Sequence, residues 1–143
     1  MTKLVLDASV ALKWAMPLAR EPLTDQSLRL FREYRDGAVD FLVPDMFWVE
    51  LGNVLWKGVR QRRWTRSEAE SVAADMKARD FVTVPSLMLL TEALEISFQH
   101  DRSVYDCLYV ALAVQIKADL ITADERLANA LAARFPVKWL GAF

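Results

Sequence analysis

Four carboxylates stand where an ordinary globular chain has little reason to put them. Asp7 closes the apolar run Lys3 to Leu6, and Asp124 follows the run Leu120 to Thr122 by two residues. Glu50 interrupts Met46-Phe47-Trp48-Val49-Glu50-Leu51. Asp106 interrupts Val104-Tyr105-Asp106-Cys107-Leu108-Tyr109-Val110-Ala111. A helix that is apolar all round is expected to be buried, and a lone buried carboxylate is costly unless it is paired, hydrogen-bonded or bound to a metal. Two carboxylates about 4 Å apart repel by about 4 kcal/mol at an effective dielectric near 20. A shared divalent cation turns that repulsion into a binding site, and an all-oxygen donor set favours Mg²⁺ or Mn²⁺ over zinc.

Supporting residues fall nearby. Asn53 lies three positions after Glu50 and is expected to orient it. Ser9 and Thr122 are small hydroxyls at the same two strand ends, placed to bond a metal-bound water. A plainer reading makes Asp7 and Asp124 helix N-caps, and Thr122 to Glu125 fits a capping box. Asp106 has no cationic partner within its own helix before Lys117. Lys57, Arg60, Arg62, Arg63 and Arg66 form the densest basic run. They either complement the end of a helix or contact phosphates, with Trp56 and Trp64 to stack bases. His100 reads as a surface residue ending a helix, and Cys107 as a small core residue.

The elements that must position these groups alternate. Short apolar runs at Lys3 to Leu6, Phe41 to Val43, Phe81 to Val84, Leu120 to Thr122 and Val137 to Leu140 read as strands buried on both faces. Helical patterns cover Thr24 to Arg35, Asp45 to Arg62, a stretch opened by the capping box Thr65-Arg66-Ser67-Glu68, Leu87 to Gln99, Ser103 to Lys117 and Asp124 to Arg134. The order β-α-β-α-α-β-α-α-β-α-β predicts an α/β sandwich around a mostly parallel sheet. Sites in such sheets form beyond the carboxyl ends of strands, where strand order reverses. Asp7 and Asp124 emerge side by side if the first and fourth strands are neighbours.

Composition excludes much else. The 143 residues are one domain's worth of chain, spanning 1–143, with 54% hydrophobic and 26% charged residues. Eighteen basic and 19 acidic residues leave a net charge of -1, so any nucleic-acid contact is local. One cysteine rules out an internal disulfide and a cysteine zinc site, and a reducing cytoplasm is the expected home. The start Met1-Thr2-Lys3 and its short run broken by Asp7 does not read as a secretion signal, and no run is long enough to span a membrane. No glycine-rich phosphate loop is present, and one histidine gives no support for a Ser-His-Asp triad.

The motifs Leu4-Val5-Leu6-Asp7-Ala8-Ser9, Glu50-Leu51-Gly52-Asn53-Val54-Leu55, Ser103 through Ala113 and Leu120-Ile121-Thr122-Ala123-Asp124 together resemble the PIN-domain ribonucleases, specifically the VapC toxins of VapBC toxin–antitoxin pairs. The match follows that family's order over nearly the whole chain, with Cys107 where alanine is commoner. The resemblance implies a three-layer α/β/α sandwich with a five-stranded sheet in order 3-2-1-4-5. It implies that Asp7, Glu50, Asp106 and Asp124 form an acidic metal pocket, with Glu125 and Asn129 the only nearby options for a further ligand. It also implies metal-dependent endoribonuclease activity, an RNA substrate, a homodimer and a VapB-type antitoxin whose C-terminal segment covers the site. Two rivals are weighed. A phosphoacceptor or acid-pocket phosphatase wants paired acids after the first strand, where this chain has Ala8 and Ser9. A non-catalytic RNA- or protein-binding domain has no use for four repelling carboxylates.

Overall fold

Branched and leucine-rich runs form a five-stranded sheet, all of whose ladders are parallel, in the order β3-β2-β1-β4-β5. The computed structural model describes residues 1–15 and 22–143. The strands are β1 (Thr2–Leu6), β2 (Val39–Pro44), β3 (Val82–Val84), β4 (Asp119–Thr122) and β5 (Val137–Trp139). The described helices are α1 (Ala8–Ala15), α2 (Thr24–Arg35), α3 (Met46–Arg60), α4 (Arg66–Ala78), α5 (Leu90–His100), α6 (Val104–Ile116) and α7 (Glu125–Leu131). Right-handed crossovers place α1 to α4 on one face of the sheet and α5 to α7 on the other, because the chain reverses its direction of travel after β3. That reversal falls between β1 and β4, whose pairing aligns Leu6 with Ile121.

The sequence expectation holds in outline and needs four corrections. A helix, α1, follows Asp7 as the N-cap reading required, although the expected element order omits it; Ala8, Val10, Ala11 and Trp14 recur at helical spacing and all are buried. The helix expected over Leu87 to Gln99 is divided: a 3₁₀ turn at Ser86–Met88 precedes α5, since Leu89 leaves regular helical geometry at φ -107°. The last strand stops at Trp139, where Leu140 starts another 3₁₀ turn. The runs are not all buried on both faces. β1, β2 and β4 bury their apolar residues, whereas the edge strand β3 leaves Val82 exposed.

Helix α6 is the centre of the second layer. Cys107 through Ala113 are buried on every side, and the helix packs across β1, β2 and β4. On the other face, rings from Trp14, Phe31, Tyr34, Phe41, Phe47, Trp48 and Phe81 pack pairwise at centroid separations of 5.0 to 6.4 Å. Such pairs each add about 0.5–1.5 kcal/mol beyond their buried area. Helix α3 buries Phe47, Leu51, Leu55 and Gly58, one residue per turn. Its end is locked by Trp64, whose indole N–H donates to the Leu55 carbonyl at 2.9 Å and whose ring lies over Gly58. A Cβ at position 58 would stand 1.9 Å from the Trp64 ring. Gly58→Ala is therefore expected to destabilise the fold by about 1–3 kcal/mol, through overpacking against a buried ring. Chemical denaturation of the two proteins side by side measures this.

Candidate active site

Asp7 is the first residue after β1, the middle strand of the sheet. Its backbone N–H donates to the Ile121 carbonyl at 3.2 Å, which fixes it against β4. The carboxylate is buried. One oxygen accepts from the Ser9 N–H at 3.2 Å, and the other accepts from the Thr122 hydroxyl at 2.7 Å. Burial pushes this carboxyl above the ordinary aspartate range; the Thr122 and Ser9 hydrogen bonds oppose that shift, and the nearby Asp106 charge adds to it.

Both hydroxyls are committed to backbone and carboxylate partners. Thr122 donates to Asp7 and accepts from the Asp124 N–H at 3.0 Å. Ser9 accepts from the Ala123 N–H at 3.2 Å. These bonds lace the β4–α7 turn to the β1–α1 turn. The Thr122 to Glu125 capping box does not form, because the Thr122 hydroxyl is turned toward Asp7. Asp124 itself caps α7: its Oδ1 accepts from the Arg126 and Leu127 N–H groups at 3.0 and 3.2 Å. Its Oδ2 remains for the pocket, so the capping and functional readings use different oxygens.

Glu50 approaches from α3 and is half-buried beside the stripe that faces the core. The helix is not buried all round, since Val49 is 74% exposed. The Tyr109 hydroxyl of α6 donates to Glu50 Oε2 at 3.0 Å. Asn53, the expected orienting group, is exposed and makes no described hydrogen bond to Glu50. Burial first, then the Asp7 charge, pushes the Glu50 carboxyl up to about 7; Tyr109 opposes this and Asp106 reinforces it.

Asp106 lies in the first turn of α6, where the Ser103 hydroxyl accepts its N–H at 3.2 Å. This turn is open to solvent on one side, with Tyr105 68% exposed, so Asp106 is half-buried. It has a cationic partner much nearer than Lys117. Arg102, four residues upstream, brings Nη2 to 3.5 Å from Asp106 Oδ2 and 3.9 Å from Asp124 Oδ2. The spacing is that of an ordinary i, i+4 ion pair, a signal readable in the sequence had the turn before the helix been included. Burial raises the Asp106 carboxyl, the Arg102 charge opposes the rise, and the Asp124 charge adds to it.

The charges of Asp7, Glu50 and Asp106 thus act on one another, and that of Asp124 acts on Asp106, around the β1/β4 switch point. Among the described residues, no three Asp, Glu, His or Cys side chains already enclose a metal-sized point. The donor chemistry fits a hard cation nonetheless, since three of these carboxyls are lifted first by burial and then by one another's charge, and a bound cation offsets both. Glu125 and Asn129 lie exposed on α7. Cys107 is buried and its thiol is pushed up to about 11, chiefly by burial, so it is no nucleophile at neutral pH. The His100 ring packs edge-on against Phe135, with centroids 5.3 Å apart.

The basic run separates on folding. Lys57 and Arg60 are exposed near the end of α3, and Arg60 lies 4.9 Å above the exposed Trp56 ring. Trp64 is buried and cannot stack a base. Arg63 lies over its ring at 5.0 Å, Arg66 pairs with Glu70, and Arg62 occupies the turn after α3.

A fold with this strand order and acids gathered at its switch point is that of the PIN domain. The model of that domain matches residues 4–131, and the chain belongs to the family. It is 28% identical over 134 residues to Ribonuclease VapC3 of Pyrobaculum aerophilum, covering 89% of this chain and 93% of the relative. The solved structure of PAE2754 from Pyrobaculum aerophilum superposes with a TM-score of 0.70 at 20% identity, over 99% of this chain and 85% of that one. A toxin-antitoxin complex from Klebsiella pneumoniae contains a chain matching with a TM-score of 0.61 at 12% identity, over 94% of each.

Two predictions follow from the hydrogen-bonded frame. Thr122→Val leaves a buried carboxylate short of a donor, and should cost about 1–3 kcal/mol in denaturant unfolding while raising the Asp7 titration midpoint read by NMR. Glu50 holds its proton more firmly folded than unfolded, so its contribution to stability is full below its ordinary value of 4.5 and is lost as pH rises through about 7. Without divalent cations, the melting temperature should fall between about pH 5 and about pH 8, and Glu50→Gln should flatten that fall. Parallel slopes for the two proteins would show that Glu50 does not carry it.

Proposed function

We propose that this chain is a metal-dependent endoribonuclease, the toxin of a type II toxin–antitoxin pair. The observation that carries the reading is the set of four carboxylates gathered at the β1/β4 switch point, each on a different element. Similarity to Ribonuclease VapC3 supports RNA as the substrate.

Asp7, Glu50, Asp106 and Asp124 would hold Mg²⁺ or Mn²⁺. When bound, the cation supplies Lewis acidity, making water nucleophilic at neutral pH and neutralising charge that develops on the scissile phosphate. The chain's own residues set the frame. Thr122 and the Ser9 N–H aim the two oxygens of Asp7. Tyr109 holds one oxygen of Glu50, leaving the other for the pocket. Lys57 and Arg60 offer phosphate contacts, and Trp56 a stacking face, farther along the same helix.

Two surfaces support partners. Between α3 and α4 lies an apolar groove lined by Trp48, Leu51, Leu55, Ala73 and Phe81. It suits an amphipathic segment of a VapB-type antitoxin, whose C-terminal part would then reach the acids. On the other layer, Leu87, Met88, Leu90, Leu94 and Phe98 are all exposed, a contiguous apolar face that suits a homodimer. A cytoplasmic home accords with the buried free thiol. No described helix is long and apolar enough to cross a membrane.

The test is incubation of cellular RNA with purified chain, with Mg²⁺ or Mn²⁺ and with chelator, beside Asp106→Asn. Discrete cuts that need metal, and that fall more than about a hundredfold in the variant, are expected, since losing one metal ligand removes several kcal/mol of transition-state stabilisation. Equal cutting by both proteins would rule out this site. Phe98→Glu should shift the chain toward monomer in analytical ultracentrifugation, because a charge in an apolar interface core is left unpaired.

A further inference from the structure

Arg102 is held in place from both sides of its own backbone. It follows Asp101, which turns the chain through the left-handed region at φ 53° between α5 and α6. Its carbonyl accepts from the Ser97 hydroxyl, and the Cys107 thiol lies 4.0 Å away. The side chain points inward: its relative exposure is 24%, against 87% for Arg66 on the surface of α4. One terminal nitrogen, Nη2, straddles Asp106 Oδ2 and Asp124 Oδ2 at 3.5 and 3.9 Å. The Asp124 oxygen it faces is the one not used to cap α7. Arg102 Nε, in contrast, is buried with no acceptor. A buried donor left unpaired is unfavourable, so the attraction of the two carboxylates for the guanidinium tip, rather than saturation of its fork, sets its position.

We propose that the Arg102 guanidinium takes the place of a second cation between Asp106 and Asp124, so that the pocket binds one divalent ion per chain. This rests on the metal-dependent reading above. With all four carboxylates ionised, as coordination to a cation requires, the acids carry four negative charges, and Arg102 reduces the net to three. One divalent ion brings it to one, whereas two would leave the pocket positive. Two-metal sites set their ions about 3.5–4 Å apart, and an ion at Asp106–Asp124 would meet a fixed positive charge at contact distance. Arg102 is in this sense a specificity-determining residue, fixing how many cations the acids accept.

The experiment counts Mn²⁺ bound by the full-length chain, using calorimetry and electron paramagnetic resonance of free Mn²⁺, with no RNA present. Wild type and Arg102→Lys should each bind one Mn²⁺ per chain. Arg102→Gln should bind two, and Arg102→Gln combined with Asp124→Asn should return to one. Circular dichroism confirms that each variant is folded before counting. Two ions in wild type would overturn the proposal while leaving the metal-dependent reading intact. One ion in both wild type and Arg102→Gln would overturn the role given to Arg102. No Mn²⁺ bound by any folded variant would overturn the metal-dependent reading, and this proposal with it.

Discussion

The hydrogen bond from Thr122 to Asp7, 2.7 Å long and fully enclosed, joins residues 115 positions apart and holds the two central strands' ends in register. A buried carboxylate has few ways to exist. It must be neutral, hydrogen-bonded or balanced by positive charge. Here two donors satisfy it without neutralising it, one from β4 and one from the first turn of α1. That arrangement requires β1 and β4 to be neighbours, and hence a sheet whose strand order reverses between them. The turn after β4 then follows, because the same Thr122 oxygen accepts the Asp124 N–H.

The other acids are brought in by helices that each serve two masters. Helix α3 spends one face on the core and presents Glu50 at its margin, with its remaining face open as a groove. Helix α6 is buried from Cys107 through Ala113, so at the pocket end its first turn alone can carry a carboxylate and still reach water. Its Tyr109 is enclosed and turns its hydroxyl to Glu50. The consequence is a set of acids fixed by rigid elements at distances where they repel. The backbone withholds relaxation, and Arg102 sets a positive charge against Asp106 and Asp124. Holding these carboxylates close lowers stability, the usual tension between a candidate functional site and its fold.

The sequence by itself determined the elements and the identity of the acids. Branched runs ending in Asp7, Pro44 and Thr122 are legible because strand periodicity and turn residues are local properties. The Thr65 capping box formed as read, for the same reason. Acids inside apolar helical stretches stand out because composition alone makes them costly. What the sequence left open was every partnership across the chain. Tyr109 reaches Glu50 over 59 positions, and no spacing rule links them. Asn53, three residues from Glu50, shares its helix yet points to water. Trp56 and Trp64 are equivalent in composition, but one is exposed and the other covers Gly58. Only the tertiary structure decided these, because hydrogen bonds and burial at the site are set by which elements meet, and α3, α6, β1 and β4 meet through the sheet rather than along the chain.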